Sequence, residues 1–172
     1  MAALNPQVIG KEMPHGFAGC YARQPDMIVE TRPAGGKTPI PFGAPLVYDA
    51  TKPAVVAAGA TFAAANFVGV AGCEIKSALT YLDQQAGQYA PGEAVSVFQR
   101  GSINVRAYGT PALGGAVYVR TATSETYTTE PVGAFTATND ASKTVQLTNC
   151  QWGGPADANG IAELVILTRA NA

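Results

Sequence analysis

The chain has 172 residues, 47% of them hydrophobic and 13% charged, which is too apolar for a disordered chain and suits one domain with or without an arm. Eleven basic against twelve acidic residues leave a formal net charge of -1, which argues against a partner held by bulk electrostatics, nucleic acid above all. Nineteen glycines and twelve prolines are too many for a helical bundle and suit short strands separated by turns.

Residues 1–16 show no periodicity and end in Pro14, His15 and Gly16; they read as an extended arm ahead of a β-rich domain over 17–172. The first ten residues have neither a basic region nor an apolar run, so no signal peptide is expected. Synthesis in the cytoplasm is expected, where an odd number of cysteines stays as thiols. Phe17 to Ala22 and Met27 to Thr31 are candidate strands, with a turn at Pro25 and Asp26 between them. Arg32 to Lys37 is a loop. Ile40 to Tyr48 carries Pro41 and Pro45, which lack the N–H of a ladder, so an edge strand or an irregular crossing is expected. Pro53 to Cys73 holds no charged residue, yet its alanines and glycines are too weakly apolar for a membrane span. It reads as a small-residue loop leading into a buried strand, Phe67 to Ala71.

Ala78 to Gln85 fits a short helix or an extended loop carrying Tyr81, and Gln88 to Glu93 is a turn around Pro91-Gly92. Ala94 to Gln99 and Ser102 to Ala107 alternate in polarity on either side of Arg100-Gly101, the pattern of a tight hairpin. Ala116 to Thr121, Gly133 to Thr138 and Thr144 to Asn149 are further strands, and Asn149 to Gly160 a long turn holding Trp152. The closing segment, Gly160 to Arg169, is apolar on both faces over Leu164 to Leu167, as in a central strand covered on both sides. About eight short strands predict an all-β domain, a small β-sandwich or jelly-roll-like β-barrel.

Catalytic and metal signatures are missing: no C-x-x-C, H-E-x-x-H or G-x-S-x-G occurs, and Gly36-Lys37-Thr38 ends a phosphate loop whose first glycine is replaced by Thr31. His15, Cys20, Cys73 and Cys150 have no paired ligand spacing, so three small buried apolar residues and a surface imidazole are expected rather than a zinc site. His15 at the arm junction could in principle sense pH. Glu93, Glu125, Glu130, Asp140 and Asp157 are of the right type for glycosidic acid–base work, but nothing in their spacing makes them converge. No cofactor, no metal and no enzymatic activity are expected.

The order of several segments carries a family likeness. Gly16-Phe17-Ala18-Gly19 opens the domain, and Pro39-Ile40-Pro41-Phe42-Gly43 and Phe67-Val68-Gly69-Val70-Ala71 follow. Tyr89-Ala90-Pro91-Gly92-Glu93-Ala94-Val95-Ser96-Val97 then runs into Arg100-Gly101-Ser102-Ile103-Asn104-Val105. Gly114-Gly115-Ala116-Val117-Tyr118-Val119 and Ala162-Glu163-Leu164-Val165 complete the series. Over roughly residues 16–168 this resembles the structural cement, or head decoration, proteins of tailed bacteriophages.

The resemblance implies a non-catalytic β-rich subunit on the outer surface of a phage head. It would bridge neighbouring major capsid protein subunits and stabilise the shell against the pressure of packaged DNA. The partners implied are the major capsid protein and further copies of the chain, as a dimer or trimer on a local symmetry axis, with no direct nucleic acid and no membrane. The candidate contacts are Leu4, Val8, Ile9 and Met13 in the arm, Arg32 and Pro41 bounding a loop, and Tyr81, Tyr89 and Trp152 as aromatic anchors. A tail or fibre component and a glycan-binding β-domain are the alternatives; the first lacks its repeat periodicity here.

Overall fold

The computed structural model describes residues 14–73 and 86–168, so the expectations for residues 1–13 and for Ala78 to Gln85 fall outside it. The strands are β1 (Tyr21–Pro33), β2 (Ile40–Pro41), β3 (Pro45–Tyr48), β4 (Val55–Ala57), β5 (Phe67–Gly72), β6 (Gln88–Tyr89), β7 (Ala94–Tyr108), β8 (Ala116–Arg120), β9 (Phe135–Thr136), β10 (Thr144–Trp152) and β11 (Ile161–Ile166). A 3-10 turn, Ala64–Asn66, leads into β5.

Five of these strands close a ring. β7 pairs with β11, β11 with β10, β10 with β8, β8 with β9, and β9 returns to β7. Every pairing is antiparallel except the last, where Ala107 lies beside Phe135. The expected all-β domain is therefore built on a barrel. From β7 the sheet continues outward through β5, β3 and β4, and β2 and β6 form a two-stranded sheet of their own. β1 also pairs with β7, opposite the edge that β5 and β11 occupy in succession. The C-terminal strand is central as expected: β11 has a partner on both sides and is buried at every position but Val165.

The expected hairpin at Arg100-Gly101 does not form. β7 runs straight through it as one strand, and Arg100-Gly101 is a bulge. Gly101 adopts φ +103, and a Cβ there would stand 2.5 Å from the carbonyl oxygen of Asp26. In the ladder with β1 the extra residue of β7 is Gln99, between the pairs Ile28–Arg100 and Val29–Phe98; beside it β1 loops out in turn, Arg23 to Ile28 facing only Ser102 to Arg100. A bulge and a hairpin turn both call for glycine at positive φ, which is why the dipeptide misleads.

The bulge also swaps the faces of the strand. Before it, Val95 and Val97 enter one core and Phe98 the other. After it, Ile103, Val105 and Ala107 point into the core that Phe98 occupies. Odd-numbered residues thus change sides between Phe98 and Ile103, as one extra residue at Gln99 requires in a period-two strand. The first core fills the barrel with Phe98, Ile103, Val105, Val117, Val119, Phe135, Leu147, Trp152, Leu164 and Ile166. The second lies under the outer sheet and holds Ala34, Ile40, Leu46, Val55, Ala71, Tyr89, Val95 and Val97.

Three other expectations change. Tyr21 to Pro33 is a single strand with its irregularity at Pro25-Asp26, not two strands. Pro45 does not confine its segment to an edge: β3 lies between β4 and β5, and Pro45 is its first residue, where the missing N–H costs no ladder bond. β10 extends to Trp152, so the turn that follows starts only at Gly153.

Candidate interaction surface

Around His15, where the expected arm would meet the domain, the chain is anchored by hydrogen bonds. His15 donates its backbone N–H to Asp157 (2.9 Å), and Asn104 donates its amide to the His15 carbonyl (2.6 Å). The His15 ring lies 3.3 Å from the Pro155 carbonyl, so the imidazole is half-buried and held rather than free on the surface. Asp157 also accepts the N–H groups of Asn159 and Ile161. These bonds, that from Ile161 foremost, hold its carboxyl below the usual range.

Next along the chain, two of the glycine-bearing segments noted above meet. Gly19 and Gly43 both have positive φ; a Cβ on Gly43 would lie 2.9 Å from the Ala18 Cβ, and one on Gly19 3.0 Å from the Phe42 Cβ. No other residue type lets the two chains approach so closely. Cys73 donates its N–H to Gly19 (3.0 Å), and Phe42 donates to Gly87 (2.8 Å). Gly19, the Phe42-Gly43 turn that follows Pro41, Cys73 and Gly87 therefore meet at one corner of the molecule. Phe17, Cys20, Phe42, Cys73 and Arg106 line a shallow groove there.

The candidate contacts fare differently. Leu4, Val8, Ile9, Met13 and Tyr81 lie outside the described residues. Pro41 is exposed beside this corner. Arg32 is half-buried, paired with Glu30, and its guanidinium stands 6.0 Å from the centre of the Tyr48 ring.

Tyr89 and Trp152 are corrected: both are fully buried and cannot anchor a partner. Tyr89 packs edge-on against Phe42 at 5.1 Å and donates its hydroxyl to the Gly72 carbonyl; burial pushes the phenol up to about 12. Trp152 fills the barrel because β10 continues through it. Among the described residues the most exposed large apolar side chains are others: Phe17 and Leu113, each 80% accessible, and Tyr48 at 53%. Phe17 and Leu113 sit directly beside turn glycines, a signal the sequence carries.

The carboxylates hold the fold together. Glu130 and Asp140 both bind Arg120, which is fully buried: Arg120 Nη2 lies 2.6 Å from Glu130 and Nη1 3.2 Å from Asp140. Burial works against the Arg120 charge, but the bonds to Glu130 and Asp140 outweigh it and raise its pKa. Asp140 is held below the usual carboxylate range, first by Ser124 and also by Arg120. Glu93 closes the Pro91-Gly92 turn on the Ala90 N–H (2.6 Å). Glu163, nearly buried on β11, takes two hydrogen bonds from Arg23, at 2.6 and 3.0 Å, which lower its pKa.

The expected burial holds for Cys150 only. Cys20 and Cys73 are partly exposed, with their sulfurs 3.4 Å apart. Among the described residues, no three or more His, Cys, Asp or Glu side chains are grouped to hold a metal ion, and no helix is long and apolar enough to cross a membrane.

Comparison with known proteins gives two matches. The model of a family described as "Structural cement protein (E217 gp24/Pam3 gp6)" matches residues 5–167. The fold is shared with a chain of a solved structure, "The capsid of Myoviridae Phage XM1", at a TM-score of 0.66 and 17% identity, covering 98% of each chain. No curated protein matches.

Proposed function

The chain belongs to the structural cement protein family of phages, and on that premise we propose how it acts. It is a virion structural protein that stabilises the capsid. Our reading is that, after synthesis in the host cytoplasm, it binds the outer surface of the head and bridges neighbouring major capsid protein subunits. It does so by burying small-residue, weakly charged surface at many identical lattice positions. Each contact can be modest, because repetition and self-association on a local symmetry axis raise the effective affinity.

The observation that carries this reading is the family match over nearly the whole chain. Its structural support is the corner where the arm root, the Ile40–Gly43 segment and the flanks at Cys73 and Gly87 meet. Contacts from residues 1–16, from the Pro41 end of the Arg32 to Pro41 loop and from around Tyr81 would start from this corner, whereas Arg32 itself lies beside Tyr48, at the other end of β1. An arm that orders only against a neighbour adds buried area at a cost in conformational entropy.

The test is co-sedimentation of the purified protein with expanded heads that lack it, followed by heating. Saturable binding at a fixed ratio to capsid subunits, with a raised disruption temperature, is expected. Heads that bind nothing would refute the role. Removing residues 1–14 is expected to weaken binding strongly; unchanged binding would assign the contact to the body instead.

A further inference from the structure

At the corner just described, two cysteines from distant parts of the sequence face each other. Cys20 Sγ and Cys73 Sγ are 3.4 Å apart and both side chains are partly exposed. The backbone beside them is already joined, since Cys73 donates its N–H to Gly19. Hydrogen-bonded neighbouring chains run about 5 Å apart, inside the Cα separation of roughly 4.4–6.8 Å that a disulfide spans. Bringing the sulfurs to a bond length of about 2.05 Å is then a matter of side-chain torsion. Cys150 is the opposite case: it is buried in the barrel core, and burial pushes its thiol up to about 12, which leaves it unreactive.

We propose that Cys20 and Cys73 are an oxidisable dithiol that closes to an intramolecular disulfide once the protein leaves the reducing interior of the cell. The oxidant is a small-molecule disulfide of the glutathione class. The thiolate of one cysteine attacks the oxidant's S–S bond, forming a mixed disulfide and releasing one small thiol. The second cysteine attacks the protein sulfur of that mixed disulfide and releases the other. Two protein S–H bonds and one small-molecule S–S bond are lost; one protein S–S bond and two small thiols are formed, which carry both protons. The link ties the root of the N-terminal segment to the end of β5, closing the loop from residue 20 to residue 73. Such closure stabilises the fold by restricting the unfolded chain. The inference stands on the corner geometry and does not depend on how the protein meets the capsid.

The experiment treats the reduced full-length protein with oxidised glutathione and maps non-reduced peptides by mass spectrometry. Expected are a joined pair of peptides holding Cys20 and Cys73, a mass loss of about 2 Da for the two hydrogens removed, and a fall in thiols titrated after denaturation from three to one. The melting temperature should rise by on the order of 10 °C, from loop closure over this span, and return on reduction. C150S should form the same link, whereas C20S and C73S should show neither link nor thermal shift. A thiol count that stays at three, a stable glutathione adduct on either cysteine, or a link between two chains would overturn the proposal.

Discussion

Replacing Gly101 with alanine tests the central feature of the fold. The new Cβ would lie 2.5 Å from the Asp26 carbonyl, in the looped-out stretch of β1 that the ladder with β7 holds at both ends, at Arg23 and Ile28. A non-glycine residue held at φ +103 costs about 1–3 kcal/mol, and the steric misfit about 1–3 kcal/mol more. The sum is about 4 kcal/mol, which lowers the melting temperature of a chain of this length by roughly 8–16 °C. Urea unfolding followed by far-UV circular dichroism measures the first figure and calorimetry the second. Gly59→Ala is the control, because no atom stands within 4 Å of the added Cβ; it should be neutral or stabilise by about 0.5 kcal/mol. Gly101→Asn separates bulge from turn. A primed hairpin turn accepts Asn, but the occupied space beside Asp26 does not. If Gly101→Ala or Gly101→Asn unfolded at the wild-type midpoint, the bulge and the exchange of faces it produces would be refuted.

Two further outcomes follow from the buried charges. Arg120→Met strands the Glu130 carboxylate inside the barrel wall and should cost about 3–5 kcal/mol; the double variant with Glu130→Met should recover part of it, and equal urea midpoints for the two would contradict the pairing. Glu163 is lowered from its ordinary 4.5, so its carboxylate stabilises the fold fully above that pH and ceases to do so as pH falls through the lower folded value. The urea midpoint should therefore drop on acidification below about pH 5, with a shallower slope in Glu163→Gln; identical slopes would show that Arg23 gives Glu163 no differential stabilisation.

The sequence made several elements readable and left others hidden, for identifiable reasons. β5, β8 and β11 each place Val, Ile, Leu or Phe at several buried positions among small or polar residues, and that apolar patterning locates them in the sequence. Barrel closure is not local: β9 is only two residues long and joins β7 in parallel across Ala107 and Phe135, a pairing that no periodicity announces. Trp152 and Tyr89 read as outward in the sequence because interface anchors and core residues share the same side chains; what decides is whether the strand runs through them. The glycine-bearing segments that suggested a family were informative for a steric reason visible only in three dimensions, the approach of Gly19 to Gly43.

β7 serves two cores, with ladder partners along both edges for much of its length. Backbone bonds of an antiparallel ladder lie across the strands. A pull along the β7 axis therefore loads many of them in shear together, while a pull at right angles peels them one after another. The protein is consequently anisotropic as a material: stiff along one direction set by a single strand, and compliant across it. How a subunit is turned on a shell under tension decides which of these two stiffnesses the shell feels.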